Sequence, residues 1–302
     1  MSRSWLRQSE RGSYLAIRLM TWIAVHLGRR ISRILLYPIS AYFLLFSGVS
    51  RRASQDYLRR VHARTVSWLD VFRHYHYFAA TLLDRIYLLN GRHDLFDVHV
   101  HGAEIIQRQV ERCQGCLLLG SHLGSFDALR ALGILQQRLP LKVLMYEENA
   151  RKINAVLNAI NPAIADTVIA IGAPDTLLKV KEEIDRGTLV GILGDRVMSN
   201  DRQVNSTFLG ERTVFPGGPM LLAGALKVPV ILCFGLYRGG NRYDVYIELL
   251  AESVEISRQN REKDLSRWTQ KYVGRLEYYC RLAPYNWFNF YNYWDTDVQR
   301  AV

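Results

Sequence analysis

The stretch that decides the fold reads Leu117-Leu118-Leu119-Gly120-Ser121-His122-Leu123-Gly124-Ser125-Phe126-Asp127. It begins with an apolar run typical of a buried β-strand, passes through small residues and a histidine, and ends in a segment that opens like a helix. If the strand ends near Gly120 and the helix begins near Gly124 or Ser125, Asp127 lies in the first helical turn. The helix dipole favours its negative charge there, and its carboxylate can face back to His122.

The spacing of His122 and Asp127, four residues apart, favours acid–base chemistry. A carboxylate bonded to one imidazole nitrogen fixes the tautomer and leaves the other nitrogen free to take a proton from a substrate. This is half of a Ser-His-Asp triad, with the nucleophile supplied by the substrate. The alternative is structural, because a serine followed by an acid is also an ordinary helix cap and a histidine lies near an aspartate by chance in many chains.

Composition limits the class of protein. With 302 residues, 49% of them hydrophobic and 22% charged, the chain holds one large domain or two small ones with a substantial core. Its four cysteines do not form a disulfide framework. Cys113 and Cys116 make a C-x-x-C pair, but no second pair or histidine cluster accompanies it, so neither a zinc site nor a redox cofactor is expected.

The net charge of +11 is concentrated near the N-terminus. Residues 1–64 contain twelve arginines, no lysine and two acids, and the arginines alternate with tryptophan, tyrosine and aliphatic residues. This mixture favours an anionic membrane surface over nucleic acid. Residues 34–50 form an uncharged run of 17 residues with Pro38 inside and arginines on both flanks, which favours a monotopic or re-entrant anchor over a single span. A buried core helix is the alternative.

Two regions follow from this pattern: a basic, apolar membrane anchor over residues 1–50 and an α/β domain over residues 51–302. We expect deletion of residues 1–50 to release the protein from membranes. From about residue 54 to residue 89 the spacing of apolar residues is helical, and Asn90-Gly91 provides a stop.

Beyond residue 90, strand and helix patterns alternate. The predicted strands are 96–100, 116–120, 141–146, 167–171, 188–193, 228–235 and 243–249. The predicted helices are 103–112, 125–138, 150–160, 174–186, 219–226 and 262–281. Such alternation predicts an α/β fold with a mostly parallel central sheet flanked by helices and function at the carboxyl ends of the strands. The chain lacks a G-x-S-x-G elbow, a P-loop and a G-x-G-x-x-G motif, which argues against serine-hydrolase, nucleotide and dinucleotide sites.

Four blocks of residues in order resemble a known family. They are the H-x4-D motif, Gly194-Asp195-Arg196, the run from Phe208-Leu209-Gly210 to Phe215-Pro216-Gly217-Gly218-Pro219, and Leu226-Lys227-Val228-Pro229. The chain resembles the lysophospholipid acyltransferase-like superfamily and, within it, the late (lauroyl or myristoyl) acyltransferases of lipid A biosynthesis. Its closing Pro284-Tyr285-Asn286-Trp287 is similar to a Pro-x-x-Trp/Tyr segment of that branch. The resemblance covers residues 98–294 and implies a glycerolipid acyltransferase-like fold with N-terminal membrane-associated helices.

The chain departs from the superfamily pattern in two blocks. The FPEG block of the glycerol-3-phosphate enzymes reads FPGG here, so Gly217 stands in place of an acid. The Gly-Asp-Arg block lacks the further acids or aromatic residues usual in the lipid A enzymes. Both departures point to a different acceptor, and the residues leave open a lipid A sugar, a phospholipid, an amino-acid lipid or a polyene pigment.

The resemblance and the chemistry together give a set of expected site residues. His122 is the expected base and Asp127 its orienting acid. Gly120, Ser121 and Gly124 are expected to let the substrate approach closely, with nearby backbone N–H groups as oxyanion donors. Further candidates for substrate binding are Arg151, Asp195, Arg196, Phe215, Gly217 and Gly218. Asp195 and Arg196 could instead form a structural ion pair. The run from Phe215 to Gly218 could simply end a strand. The aromatic residues 285–294 could form a lid, a belt at the membrane interface or part of the core.

The function expected from these residues is acyl transfer from a thioester of acyl carrier protein or CoA to a hydroxyl or amine of a lipid acceptor. The expected setting is the cytoplasmic face of a bacterial inner membrane, against an anionic membrane surface and without nucleic acid. No metal or other cofactor is implied. A thioesterase using the same pair on water and a non-catalytic lipid-binding protein are the alternatives.

Overall fold

A computed structural model describes residues 14–128, 140–146, 167–172, 175–198 and 201–295, with side chains described from residue 28 onward. The α-helices in these ranges are α1 (Tyr14–Phe46), α2 (Gly48–His62), α3 (Trp68–Leu89), α4 (Ala103–Glu111), α5 (Thr176–Asp185), α6 (Gly218–Leu226) and α7 (Arg261–Leu282). The strands are β1 (Asp97–His101), β2 (Cys116–Gly120), β3 (Leu141–Tyr146), β4 (Val168–Ile171), β5 (Leu189–Leu193), β6 (Gln203–Phe208), β7 (Glu211–Pro216), β8 (Val230–Gly239) and β9 (Arg242–Ala251).

Seven strands form one sheet in the order β1-β9-β8-β2-β5-β3-β4. Strands β8 and β9 pair antiparallel, and the other neighbours pair parallel. The prediction of a mostly parallel sheet flanked by helices is confirmed, and each of the seven strands predicted from the sequence is one of its members. The predicted helix 150–160 and most of 125–138 lie outside the described residues.

Strand β2 lies in the middle of the sheet, between β8 and β5. All five of its residues are buried, which explains why its sequence is continuously apolar rather than alternating. Gly120 at the end of β2 is in register with Leu193 at the end of β5. Because the two strands are parallel, the loops that follow them leave the sheet side by side.

Strands β6 and β7 form a separate hairpin that was not predicted from the sequence. Its two-residue turn, Leu209-Gly210, has positive φ at both positions (52° and 83°), as a type I′ turn requires. Its strands carry several polar residues, so their pattern in the sequence is weak. The hairpin buries Phe208 and Phe215 against the C-terminal segment.

Helix α1 is broken at Gly28, which has φ 78° and ψ 167°. Beyond the break it packs on α3, and Arg29 donates two hydrogen bonds of 2.7 and 2.9 Å to the fully buried Asp84. Arg33 adds a contact of 3.8 Å to the same carboxylate, which also accepts a bond from the Tyr243 hydroxyl. Two arginines that the sequence analysis placed on the membrane flank are therefore ion-paired inside the protein. The division into regions at residue 50 stays a prediction.

The helical pattern predicted over residues 54–89 is divided between α2 and α3. The break follows Ala63, which has φ 52°, and Ser67 caps α3 in a capping box with Asp70. Among the described residues, no single helix is both long and apolar enough to cross a membrane. Residues Gly28–Phe46 and Gly48–His62 form a pair bent by 97° that meets the criteria of length and composition together.

Candidate active site

His122 and Asp195 meet at the carboxyl ends of neighbouring strands. His122 follows β2 and Asp195 follows β5, and the two loops are joined by a hydrogen bond of 3.0 Å from the Gly194 amide to the Gly120 carbonyl. The Nδ1 atom of His122 lies 2.8 Å from Oδ1 of Asp195. The backbone N–H of His122 donates to the same carboxylate, at 3.1 Å from Oδ1 and 3.0 Å from Oδ2.

The pairing predicted between His122 and Asp127 is wrong. No hydrogen bond joins these two residues in the described part of the chain, and Oδ2 of Asp127 lies 2.9 Å from Nε of Arg85 on α3. Asp127 does lie in the first turn of the helix that begins at residue 126, as predicted. The first turn faces α3 there, while the neighbouring strand β5 brings a different carboxylate to the imidazole.

Asp195 is fully buried and is held by several donors. Besides His122, its Oδ2 accepts hydrogen bonds from the Trp287 indole at 3.0 Å and from the Asn289 side-chain amide at 2.9 Å. Burial by itself raises the pKa of this carboxyl group, but His122, Arg196 and the hydrogen bonds outweigh it and lower the pKa to about 2. Asp195 is therefore an anion at any physiological pH.

The environment of His122 suits a general base. A carboxylate only accepts hydrogen bonds, so Nδ1 is assigned the proton and Nε2 keeps a lone pair. The side chain of His122 is 27% exposed, and the protein atoms packed around its ring still desolvate it. This desolvation, together with the positive charge of Arg196, lowers the pKa of His122 below its usual value of 6.5, and Asp195 offsets part of the effect. The imidazole is neutral at pH 7.

The activity is expected to depend on pH through this histidine. A general base works only when it is unprotonated, so kcat/KM should rise with pH through the pKa of His122 and level off above it. The acidic inflection is expected below 6.5, because desolvation and Arg196 depress the pKa. A rate profile over pH about 5 to 8 checks this. An inflection well above 6.5 would contradict the electrostatics described for the site.

The C-terminal segment packs against the loop that carries His122. Residue 287 forms an antiparallel bridge with Leu123: the Gly124 amide donates to the Asn286 carbonyl at 2.8 Å, and the Phe288 amide donates to the His122 carbonyl at 2.7 Å. Trp287, Phe288 and Tyr293 are buried. Of the three readings of the aromatic residues 285–294, core packing is thus confirmed for these members.

Asp195 and Arg196 do not form the structural ion pair that was one reading of their adjacency. While Asp195 accepts bonds from His122, Arg196 points to the C-terminal segment. Its Nε donates to the Asn289 side chain at 2.7 Å and its Nη2 to the Phe288 carbonyl at 3.0 Å. Asn289 thus connects the carboxylate to the guanidinium. Sequence reasoning missed Trp287 and Asn289 as partners of Asp195, since nothing in their spacing links them to it.

The backbone itself requires one of the small residues near His122. Gly124 has φ +73°, and a Cβ there would lie 2.0 Å from the Gly235 carbonyl oxygen, so only glycine fits. The backbone N–H groups of His122, Gly124 and Ser125 all donate within the protein. These three amides are therefore not the oxyanion donors that the sequence analysis expected. Ser121 is buried beside the Tyr272 phenol.

Three of the remaining candidates lie on β7 and at the start of α6. Phe215 is fully buried in the core, in edge contact with Phe208 and Tyr272. Gly217 and Gly218 form the turn from β7 into α6, which matches the alternative reading of a strand terminator. Their predicted role in substrate binding is untested, as is that of Arg151, which lies outside the described residues. Within the described ranges no group of three or more His, Cys, Asp or Glu residues has the arrangement of a metal site.

A histidine–carboxylate pair at the carboxyl edge of a parallel sheet is the arrangement of a general base in many α/β enzymes. Comparison with family models identifies the family: residues 80–296 match the model described as bacterial lipid A biosynthesis acyltransferase. The match covers more than half of the chain, which therefore belongs to this family and is an acyltransferase that acts on lipids. A search of curated proteins found no matching relative.

Proposed function

We propose that the protein transfers a fatty acyl group from a thioester of acyl carrier protein or CoA to a hydroxyl or amine of a lipid acceptor, with His122 as general base. The observation that supports this most is the 2.8 Å contact between Nδ1 of His122 and the buried Asp195. It fixes the tautomer in which Nε2 is the basic atom.

The reaction needs no nucleophile from the protein. As the acceptor oxygen or nitrogen attacks the thioester carbonyl carbon, Nε2 of His122 takes its proton. The imidazolium formed is stabilised by the Asp195 carboxylate at Nδ1. When the tetrahedral intermediate collapses, the carbon–sulfur bond breaks, and the leaving thiolate takes the proton back from Nε2. The base is then neutral again and the products are an ester or amide and a free thiol.

Arg196 supplies positive charge next to this base. Its Nε and Nη2 are fixed by Asn289 and the Phe288 carbonyl, and its charge already acts on the pKa of His122. We propose that Arg196 stabilises negative charge during the reaction, either on the thioester oxygen or on a phosphate of a substrate, because a guanidinium group binds such oxygens well.

We also propose that the protein lies on the cytoplasmic face of a bacterial inner membrane. The inner face of α1 buries Leu36 and Leu44. Its outer face exposes a stripe of apolar residues at helical spacing, which continues around the corner into the start of α2. The members of this stripe are Ile31, Ile34, Tyr42, Leu45, Phe46 and Val49, each at least 48% exposed. An apolar surface this continuous is typical of contact with a membrane or a partner.

Arginines near the stripe favour the membrane. Arg30 and Arg52 are exposed at either end of it. Arg51 lies 4.9 Å above the ring of Trp68, which is itself 55% exposed at the start of α3. Cations and tryptophan bordering an apolar surface suit the anionic headgroup layer of a bilayer. The proposed acyl donors are thioesters of the cytoplasm, so we propose that the protein contacts the cytoplasmic face of the membrane.

Replacement of the apolar corner by polar residues is expected to weaken membrane binding. Leu45, Phe46 and Val49 are 61%, 63% and 56% exposed, so glutamine at all three removes apolar contact with lipid without opening the core. The expected result is a shift of the protein from the membrane pellet to the supernatant in sedimentation. Deletion of residues 1–50 is a poorer test, because it also removes Arg29 and leaves the Asp84 charge buried and unpaired.

The matched control is Leu177→Gln with Leu178→Gln, which are exposed at 50% and 61% on α5. This pair tests whether polar substitution at any exposed leucine changes sedimentation. Retention of the triple variant in the pellet, together with an unchanged control, would refute the proposed contact.

The function itself is tested by label transfer. A labelled acyl group on acyl carrier protein is supplied with a lipid extract of the host membranes, to wild type and to His122→Ala. A labelled lipid made by wild type alone supports the proposal and provides the acceptor for identification. Free labelled fatty acid alone would show a thioesterase. Acyl-CoA is the second donor, and the absence of any His122-dependent product with both donors would favour a non-catalytic lipid-binding protein.

A further inference from the structure

His74, on α3, is buried with both ring nitrogens bonded. Its Nδ1 lies 2.8 Å from the Ser54 hydroxyl of α2, and its Nε2 lies 2.8 Å from the backbone carbonyl oxygen of Trp287. A carbonyl only accepts hydrogen bonds, so Nε2 is assigned the proton and Nδ1 accepts from Ser54. Burial lowers the pKa of this imidazole to about 4, against a smaller opposite effect of the Trp287 carbonyl, and the ring is neutral at pH 7.

The Trp287–Phe288 peptide group, which accepts the hydrogen bond from His74, is also bonded to His122. Its carbonyl belongs to Trp287 and accepts the bond from His74, and its N–H belongs to Phe288 and donates to the His122 carbonyl at 2.7 Å. The indole of the same Trp287 donates to Oδ2 of Asp195 at 3.0 Å. The C-terminal segment is thus bonded to both members of the catalytic pair, to His122 through the Phe288 N–H and to Asp195 through the Trp287 indole. His74 is bonded to the peptide group that joins Trp287 to Phe288.

We propose that His74 is a positioning residue for acyl transfer: its Nε2–H orients the Trp287–Phe288 peptide and so sets the geometry between His122 and Asp195. The inference rests on the proposed function, in which His122 is the base. His74 touches neither His122 nor Asp195 in the described contacts, so it acts through Trp287. Its ring also packs against Phe290 at 4.7 Å and Tyr57 at 5.5 Å, which keeps it in this rotamer.

Two amide substitutions at position 74 distinguish the contribution of Nε2 from that of Nδ1. The side-chain amide of glutamine reaches about as far as Nε2 of histidine, and that of asparagine only about as far as Nδ1. His74→Gln therefore keeps a donor for the Trp287 carbonyl, whereas His74→Asn keeps a partner for Ser54 and loses that donor. Both variants remove the imidazole ring and its aromatic packing, and the asparagine side chain is one methylene group shorter than that of glutamine.

The expected result is a difference in kcat. A displacement of about 1 Å at a reacting group costs about 10²-fold in rate, so His74→Asn is expected to lower kcat by about that factor with little change in KM for the thioester. His74→Gln is expected to stay within about tenfold of wild type. Thermal unfolding of both variants separates a loss of rate from a loss of stability. Equal kcat for Gln and Asn at this position, whether high or low, would overturn the proposal.

Ser54→Ala provides a milder variant that leaves the imidazole in place. Without the hydroxyl the ring loses one of the two bonds that fix its tautomer, and kcat is expected to fall about three- to tenfold. If neither amide variant folds, an unchanged kcat in Ser54→Ala would overturn the proposal. The assay measures labelled lipid and free fatty acid together, so the comparison holds for transfer or hydrolysis. His122→Ala in the same assay tests the proposed function separately.

Discussion

Replacement of His122 by alanine is expected to lower kcat about 10²- to 10⁴-fold, the range usual for the loss of a general base. The variant removes Nε2, the atom proposed to take the proton of the acceptor, and leaves a buried Asp195 that retains bonds from the His122 backbone, Trp287 and Asn289. Because these donors stay in place, the protein is expected to fold, and the loss should fall on kcat rather than on KM. Steady-state acyl transfer by the purified protein measures it.

His99→Ala is the matched control for this variant. His99 lies on β1 at the edge of the sheet, its side chain is 49% exposed, and its Nε2 lies 2.9 Å from Oδ1 of Asp97. Its loss should leave kcat unchanged. Full turnover by a folded His122→Ala protein would rule out His122 as the base.

Replacement of Asp195 by asparagine is expected to lower kcat about 10³-fold or more. In a Ser-His-Asp triad the same change costs about 10⁴-fold, since the imidazole adopts the wrong tautomer. Here the asparagine amide would place donor hydrogens against Nδ1 of His122, the Trp287 indole or the Asn289 amide, which are all donors to the native carboxylate. The imidazolium formed during the reaction would also lose its counter-ion. Stability is expected to fall too, because buried donors are left unpaired.

The control for Asp195→Asn is Asp127→Asn, the same chemical change at the acid of the H-x4-D motif. The structure pairs Asp127 with Arg85 and not with His122, so its loss should affect kcat much less than the loss of Asp195. Thermal unfolding of both variants separates a loss of rate from a loss of fold. A larger fall in kcat for Asp127→Asn than for Asp195→Asn would show that Asp127, not Asp195, serves the base during turnover.

The contrast between the two acids shows how local sequence can mislead. The H-x4-D spacing placed an acid one helical turn from the histidine, and the helix does begin where the sequence indicated. Which way the first turn faces is decided by the packing of α3, because Arg85 lies within 2.9 Å of Asp127. The partner of His122 comes instead from residue 195, through the parallel pairing of β2 with β5.

The same distinction applies to the arginine-rich N-terminus. Its composition indicated a membrane surface, and the exposed stripe on α1 is consistent with this proposal. Two of the arginines, Arg29 and Arg33, nevertheless pair with Asp84, a buried acid 55 residues further along the chain from Arg29. A charge count cannot tell an arginine that faces lipid from one that neutralises a buried carboxylate, because both occur in the same helical stretch.

By itself the sequence determined the strands of the main sheet, the position of His122 at the end of β2 and the family. These features depend on apolar periodicity, on turn residues and on short motifs, all of which are local. The tertiary structure alone decided that Asp195 is the acid bonded to His122 and that Trp287 and Asn289 hold it. The sheet brings His122 to Asp195 across 73 positions of sequence, and the docked C-terminal segment brings Asn289 to Asp195 across 94. No local pattern encodes such contacts.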